Sequence, residues 1–124
     1  MRERAKAAVN KREMGSAGED MACRFLEEKG MRIIERNFRC RSGEIDVIAA
    51  EKDVLVFVEV KLRRSMEERL AFEAVHSAKQ KKIIKSALVY MMQNKLPSDK
   101  PCRFDVIGIA GKKLYHIRDA FGIH

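Results

Sequence analysis

The chain has 124 residues, enough for one domain with one hydrophobic core and too few for two. Lysine and arginine number 26 against 18 acidic residues, and the resulting net charge of +8 favours a polyanionic partner. No apolar segment reaches transmembrane length and no signal-peptide core follows the basic N-terminus, so we expect a cytoplasmic protein with no membrane partner.

A basic arm, residues 1–9, precedes the first predicted helix, and we expect this arm to be mobile. Ser16 and Glu19 form a capping-box pattern, which predicts that the helix begins at Ser16. Apolar residues at helical spacing continue the helix as far as Gly30, which predicts a left-handed C-terminal cap.

Three strands are predicted next, at residues 31–38, 45–50 and 54–60, with polar residues 36–37 and 39–42 assigned to a loop. The third of these segments is a nearly unbroken run of apolar, largely β-branched side chains, which is typical of a central strand.

A polar connection at residues 63–72 leads to a long helix at 77–94, and strands follow at 103–110 and 113–117. The helix has an apolar stripe, formed by Ile83, Ile84, Ala87, Leu88, Met91 and Met92. Its opposite face carries Lys79, Lys81, Lys82 and Lys85. The order of the elements predicts an α/β fold, with helices packed on a mixed sheet of about five strands.

Charged residues interrupt the two most apolar strands. Asp46 lies within the second strand, while Glu59 and Lys61, two residues apart, end the third and point to the same face. The segment 43–60 has a net charge of −4, although the whole chain is basic. Because a buried charge is costly unless it is paired or binds a metal, these residues are candidates for function.

A two-residue hairpin loop at 52–53 would place Asp46 opposite Glu59 and Glu44 opposite Lys61. Two explanations are open at this point. The paired carboxylates could bind Mg²⁺ or Mn²⁺, with water and substrate phosphate completing the octahedron. Alternatively, Glu44 and Lys61 form a cross-strand ion pair and Asp46 lies near a solvated sheet edge.

The cysteines give no sign of a disulfide framework or a zinc site, because Cys23, Cys40 and Cys102 are odd in number and widely spaced. We expect reduced thiols. The chain also lacks a glycine-rich phosphate loop and a dinucleotide-binding fingerprint.

An Asp on one strand followed by E-x-K on the next resembles the PD-(D/E)xK nuclease superfamily, although Ile45 stands where the superfamily name has Pro. More closely, five blocks resemble in order those of the YraN-like family: NKREMGSAGE at 10–19, GEIDVIA at 43–49, LVFVEVKLR at 55–63, AV and KQ within 74–80, and RFDVI at 103–107. These small bacterial proteins are predicted endonucleases related to archaeal Holliday-junction resolvases.

The resemblance implies a restriction-endonuclease-like three-layer fold over a single domain, and a role for five residues. Asp46 and Glu59 match the carboxylates that bind Mg²⁺ or Mn²⁺, and Lys61 matches the lysine that orients the attacking water. Glu19 matches an acid that assists the metal site. Gln80 matches a helical polar residue that lies near the metal site. The implied activity is hydrolysis of phosphodiester bonds in DNA, for repair or recombination.

Nucleic acid, most simply DNA, is therefore the expected partner. The residues expected to contact its backbone are Arg39, Arg41, Arg63, Arg64, Lys79 and Lys82. By analogy, a two-fold junction substrate would suit a homodimer. Junction, flap, duplex, single strand and RNA remain open as substrates. A non-catalytic nucleic-acid-binding module and a protein-interaction domain are the alternative functions.

Simpler roles are open for the weaker candidates. Glu19 could be only a capping-box residue, and Gln80 only a solvated helix residue. For Asp105, which interrupts an apolar strand, we expect an ion pair with Arg103 or Arg36 rather than catalysis.

Overall fold

In the part of the chain that the structure describes, five strands form one mixed sheet in the order β1-β2-β3-β4-β5, with β3 and β4 paired in parallel and the other neighbours antiparallel. The computed structural model describes residues 11–63 and 77–122. In chain order the elements are α1 (Lys11–Glu28), β1 (Arg32–Cys40), β2 (Gly43–Glu51), β3 (Val54–Arg63), α2 (Ser77–Gln93), β4 (Cys102–Ala110) and β5 (Lys113–Phe121). The predicted α/β fold and the central position of β3 are confirmed. The basic arm and the connection after residue 63 lie outside the described residues.

The two helices cover opposite faces of the sheet, which gives three layers, as the restriction-endonuclease-like fold requires. The α1 face buries Ala22, Leu26, Val47, Val56, Val58 and Ile107. The α2 face buries Ile48, Phe57, Ile83, Ala87, Tyr90 and Phe104. Burial on both faces explains why β3 is apolar along its length, because neither side of a central strand contacts water.

The first helix begins earlier than its sequence pattern predicts. Because α1 starts at Lys11, Ser16 lies inside the helix and the predicted capping box is wrong. The end of the helix is as predicted: Gly30 has a φ of +95°, and its amide donates to the carbonyl of Glu27 at 3.0 Å. The amide of Met31 donates to the carbonyl of Leu26, also at 3.0 Å, which completes a Schellman motif.

Strand β1 includes residues 36–37 and 39–40, which were predicted to belong to a polar loop. It runs to Cys40, and the turn to β2 contains only Arg41 and Ser42. The loop prediction is therefore correct for residues 41–42 and wrong for the others. Among the described strands β1 is an edge strand that pairs with β2 alone, so its polar side chains can face solvent. One residue of this strand, Asn37, has a left-handed backbone with a φ of +56°.

The predicted hairpin between β2 and β3 is confirmed. Lys52 and Asp53 form its two-residue turn, with Lys52 at a φ of +55°. The pairing begins at Glu51 and Val54 and keeps the predicted register as far as Val47 and Val58. The hairpin therefore brings the end of β3 beside the first half of β2.

The second helix has nearly the predicted bounds, but the face that it buries is rotated about the helix axis relative to the predicted apolar stripe. Its buried residues are Ile83, Ser86, Ala87, Tyr90 and Met91. Leu88 and Met92, which were predicted to be buried, are 49% and 76% exposed. Neither helix in the described segments is long and apolar enough to span a bilayer.

Candidate functional site

Two carboxylates lie where β2 and β3 stop pairing, and we call Asp46 and Glu59 the acidic centre. The ladder ends at Val47 and Val58, one residue before both acids. There the amide of Val60 donates a hydrogen bond to Asp46 Oδ2 at 2.8 Å. A side chain of β2 thus accepts a bond from the backbone of β3, which fixes the carboxylate at the strand end.

The acidic centre is electrostatically strained. Burial and the nearby carboxylate of Glu59 raise the pKa of Asp46 from 3.8 to about 7, against the opposing hydrogen bond from Val60. Glu19 and Glu44 add smaller contributions in the same direction. A bound cation would stabilise the ionised form of Asp46 beside this second carboxylate.

Two lysines neutralise Glu59, which is only 7% exposed. Lys61 Nζ lies 3.8 Å from Glu59 Oε2 and Lys79 Nζ lies 3.3 Å from the same oxygen. Glu59 and Lys61 therefore share the α2 face, as their spacing predicts, and α2 adds Lys79. The alternative ion pair between Glu44 and Lys61 is not formed, since Glu44 contacts Arg39 at 3.5 Å instead.

A cleft of about 450 Å³ opens beside Asp46, between the β1–β2 turn and the first half of α2. Its lining residues are Arg39, Cys40, Gly43, Glu44, Asp46, Lys79, Lys82 and Ile83. Three of these carry basic side chains and two carry acidic side chains, so both kinds of charge line the cleft. This charge distribution suits a phosphate group held next to a metal-binding carboxylate.

Glu19 reaches the site from α1, but not as a helix cap. Its Oε1 accepts a hydrogen bond from Asn37 Nδ2 at 3.0 Å and lies 3.6 Å from Arg36 Nη2. The capping-box interpretation is therefore wrong. Asn37 was not predicted as a site residue. The signal in the sequence is an Asn inside a strand, because after Gly it is Asn that best tolerates a left-handed backbone.

The other predicted contacts are distributed around this end of the sheet. Gln80 is half-buried in the first turn of α2, next to Lys79. Arg41 is exposed in the β1–β2 turn. Arg63 is the last residue of β3, and Arg64 lies outside the described residues.

A second polar cluster, centred on Asp105, lies on the α1 face. Asp105 is fully buried and accepts hydrogen bonds from Arg103 Nε at 3.0 Å and from the amide of Asp119 at 2.9 Å. His116 Nε2 lies 2.8 Å from its other oxygen. Burial opposes ionisation, but these three partners hold the pKa of Asp105 below its ordinary value. The predicted ion pair with Arg103 is confirmed.

The donor set at the acidic centre fits a hard divalent cation. Within residues 11–63 and 77–122, no group of three or more His, Cys, Asp or Glu side chains is arranged to hold a metal ion, so no third protein ligand joins Asp46 and Glu59. Mg²⁺ typically binds through one or two carboxylates, with water and substrate phosphate as its other ligands. Asp46 and Glu59, beside a basic cleft, match that pattern.

The family model and the individual relatives that match this chain all belong to the same family. The model of the uncharacterised protein family UPF0102 matches residues 18–109. The chain is 42% identical over 113 residues to a UPF0102 protein of Lachnoclostridium phytofermentans, covering 91% of this chain and 96% of that one. It is 47% identical over 111 residues to a UPF0102 protein of Syntrophus aciditrophicus, covering 86% and 87%. It is 44% identical over 120 residues to one of Caldanaerobacter subterraneus, covering 91% and 98%.

Proposed function

Because the chain belongs to the uncharacterised protein family UPF0102, whose matched region contains the acidic centre and the cleft, we propose a function from the chemistry of these residues. The proposed function is metal-dependent endonucleolytic hydrolysis of phosphodiester bonds in DNA. This assignment includes membership of the PD-(D/E)xK nuclease superfamily.

One observation carries the proposal: Asp46 lies beside Glu59 at a strand end and lines a basic cleft, and the ammonium of Lys61 contacts Glu59. A stable core has no need for this arrangement, because burial and repulsion raise the pKa of Asp46 to about 7 and thus oppose its ionisation. Hydrolysis of a phosphodiester requires these same parts: ligands for a cation, a group that orients water, and cations that bind phosphate.

In the proposed mechanism, Asp46 and Glu59 would hold Mg²⁺ or Mn²⁺. When bound, the cation would polarise the scissile phosphate and lower the pKa of a bound water. Lys61, beside Glu59, orients the attacking water and stabilises the negative charge that develops on the phosphate. The hydrolysis proceeds without a covalent intermediate on the protein.

The cleft supplies the contacts to the nucleic-acid backbone. Arg39 and Lys82 line it together with Asp46 and bind phosphate by charge, without reading the bases. Binding should therefore weaken steeply as salt is added, because each neutralised phosphate releases counterions. The chain has no Trp, six Phe and two Tyr, which favours recognition of backbone and shape over base stacking.

The test is a cleavage assay on four-way junction, flap, duplex and single-stranded DNA, with Mg²⁺ or Mn²⁺, for the wild type, Asp46→Asn and Lys61→Ala. We expect metal-dependent cutting that both substitutions abolish, and the substrate that is cut identifies the preferred structure. Asp46→Asn keeps the acceptor for the Val60 amide, so its loss of activity would not reflect misfolding.

The competing function is a non-catalytic nucleic-acid-binding module. It is favoured if no substrate is cut while salt-sensitive DNA binding persists and is unchanged by Asp46→Asn. Cutting that survives both substitutions would also reject the proposed site.

A further inference from the structure

Lys79 contacts the acidic centre from a different element than the lysine of the E-x-K pattern. It lies in the first turn of α2, and its Nζ is 3.3 Å from Glu59 Oε2, closer than the 3.8 Å of Lys61. Its side chain is 47% exposed, against 20% for Lys61. Lys79 is thus a long, partly solvated side chain that ends on a buried carboxylate.

A divalent cation and this ammonium would compete for the same carboxylate. Glu59 is a candidate metal ligand, and an ammonium at 3.3 Å offsets the negative charge that would attract the metal. A cation bound to Glu59 would in turn offset the attraction between this carboxylate and Lys79, and its double charge would repel the nearby ammonium. Because Lys79 is half-exposed, it can move into solvent without disturbing the core.

The displaced ammonium can contact a ligand in the cleft, because Lys79 also lines the cleft beside Asp46. There it joins Arg39 and Lys82, the cations proposed to bind the backbone phosphate. A phosphate bound at the metal would therefore lie within reach of the Lys79 ammonium once this ammonium no longer pairs with Glu59.

We propose that Lys79 is an internal counter-ion of Glu59 that a divalent cation displaces, and that the freed ammonium then binds a nucleic-acid phosphate in the cleft. This inference rests on the proposed function, since it assumes that Asp46 and Glu59 bind the cation. It makes Lys79 a positioning residue that couples metal binding to substrate binding, with opposite effects on the two.

The first experiment is calorimetric titration of Mn²⁺ into the protein without nucleic acid, for the wild type, Lys79→Met and Lys81→Met. Lys81 is exposed on the same helix and its substitution removes the same charge, but it does not line the cleft. We expect Lys79→Met to tighten Mn²⁺ binding about threefold to tenfold, because it removes an ammonium in contact with the metal ligand. Lys81→Met should stay close to the wild type.

The second experiment measures duplex DNA affinity against salt, with and without Ca²⁺, which takes oxygen ligands as Mn²⁺ does. With Ca²⁺ present, Lys79→Met should make the slope of log affinity against log salt shallower by about 1, as expected for one lost phosphate contact. Without the cation the change should be smaller, because Lys79 is then held by Glu59.

The outcomes separate this inference from the function on which it rests. If the wild type binds no Mn²⁺, the metal site and the inference both fail. If the wild type binds Mn²⁺ but Lys79→Met has the same affinity as the wild type, or Lys81→Met tightens binding equally, only the counter-ion role is rejected. An equal loss of DNA affinity with and without Ca²⁺ would reject the coupling.

Discussion

The side chain of Asp46 in β2 accepts a hydrogen bond from the backbone amide of Val60 in β3, with 2.8 Å between Oδ2 and N. The bond lies just beyond Val47 and Val58, where backbone pairing between these strands ends. A half-buried acid is thereby held beside Glu59, whose carboxylate opposes its ionisation.

The first prediction concerns the pH dependence of stability in the metal-free protein. Because the pKa of Asp46 is raised from 3.8 to about 7 on folding, its contribution to stability is complete below the unfolded pKa and is lost as the pH rises through 7. Asp46→Asn removes this loss. We expect the substitution to raise the free energy of unfolding by about 2 kcal/mol at about pH 8, and by much less at about pH 5.

Urea unfolding at the two pH values, in the presence of a chelator, measures this difference. Glu44→Gln is the matched control, because Glu44 is exposed and adds only a minor contribution to the pKa of Asp46. If the Asp46→Asn protein is less stable than the wild type at high pH, then ionised Asp46 does not destabilise the folded protein, and the prediction is wrong. Saturating Mn²⁺ should reverse the order, since only the wild type keeps both ligands.

The hairpin that carries the site could be predicted from sequence because two signals agree there. The nearly continuous apolar run of β3 predicts a central strand buried on both faces, and the apolar segment of β2 before it predicts its neighbour. The two-residue turn at Lys52 and Asp53 joins these strands and fixes their register. The proximity of Asp46 and Glu59 followed from these local rules.

The contacts that complete the site depend on tertiary packing, which local patterns do not encode. Glu19 fits a capping box in sequence, but its partner is Asn37, 18 residues away on another element. Likewise, Lys79 belongs to a run of solvated lysines, and only the position of α2 on the sheet brings its ammonium to Glu59. Sequence reasoning identified these residues by type and could not assign their partners.

The second prediction concerns Asn37, whose left-handed backbone and side-chain bond to Glu19 are separable. Asn37→Ala loses the bond and strains the backbone, so we expect it to lower the free energy of unfolding by about 2 kcal/mol. Asn37→Gly loses the bond but adopts a positive φ freely, and it should cost only about 1 kcal/mol. Equal losses in urea unfolding would show that the backbone conformation carries no strain.

The third prediction assigns the Asp105 cluster to stability rather than to function. Asp105→Asn leaves the Arg103 guanidinium, which is largely buried, without its full counter-charge, and should cost about 3 kcal/mol in urea unfolding at neutral pH. Because the folded pKa of Asp105 is lowered, its contribution is present above its unfolded pKa and is lost as the pH falls through the folded pKa. The difference between wild type and variant should therefore shrink in acid.

Glu51→Gln is the control for this third prediction, since Glu51 also contacts Arg103, at 2.7 Å, but from a more exposed position. It should cost about 1 kcal/mol or less. Folded Asp105→Asn protein should bind Mn²⁺ and DNA as the wild type does, because the cluster is on the α1 face. A specific loss of metal binding in that variant would contradict a purely structural role.

The fourth prediction uses Cys40, which lines the cleft, as a probe of its occupancy. A hydrogen bond from Ser86 lowers the pKa of this thiol, and hydrogen bonds from the amides of Ser42 and Gly43 lower it further. Burial raises the pKa but does not outweigh these hydrogen bonds. Burial instead raises the pKa of Cys102. Since the thiolate is the reactive form, Cys40 should react with iodoacetamide about tenfold faster than Cys102 near neutral pH.

Duplex DNA that enters the cleft should protect Cys40 from this alkylation and leave the rate at Cys102 unchanged, so Cys102 serves as the internal control. Peptide mapping by mass spectrometry at several reaction times gives both rates in one sample. Protection should disappear at high salt, because the contacts of Arg39 and Lys82 with phosphate are electrostatic. If DNA binds but Cys40 is alkylated at the same rate with and without it, the nucleic acid lies elsewhere on the basic surface and the cleft is not its binding site.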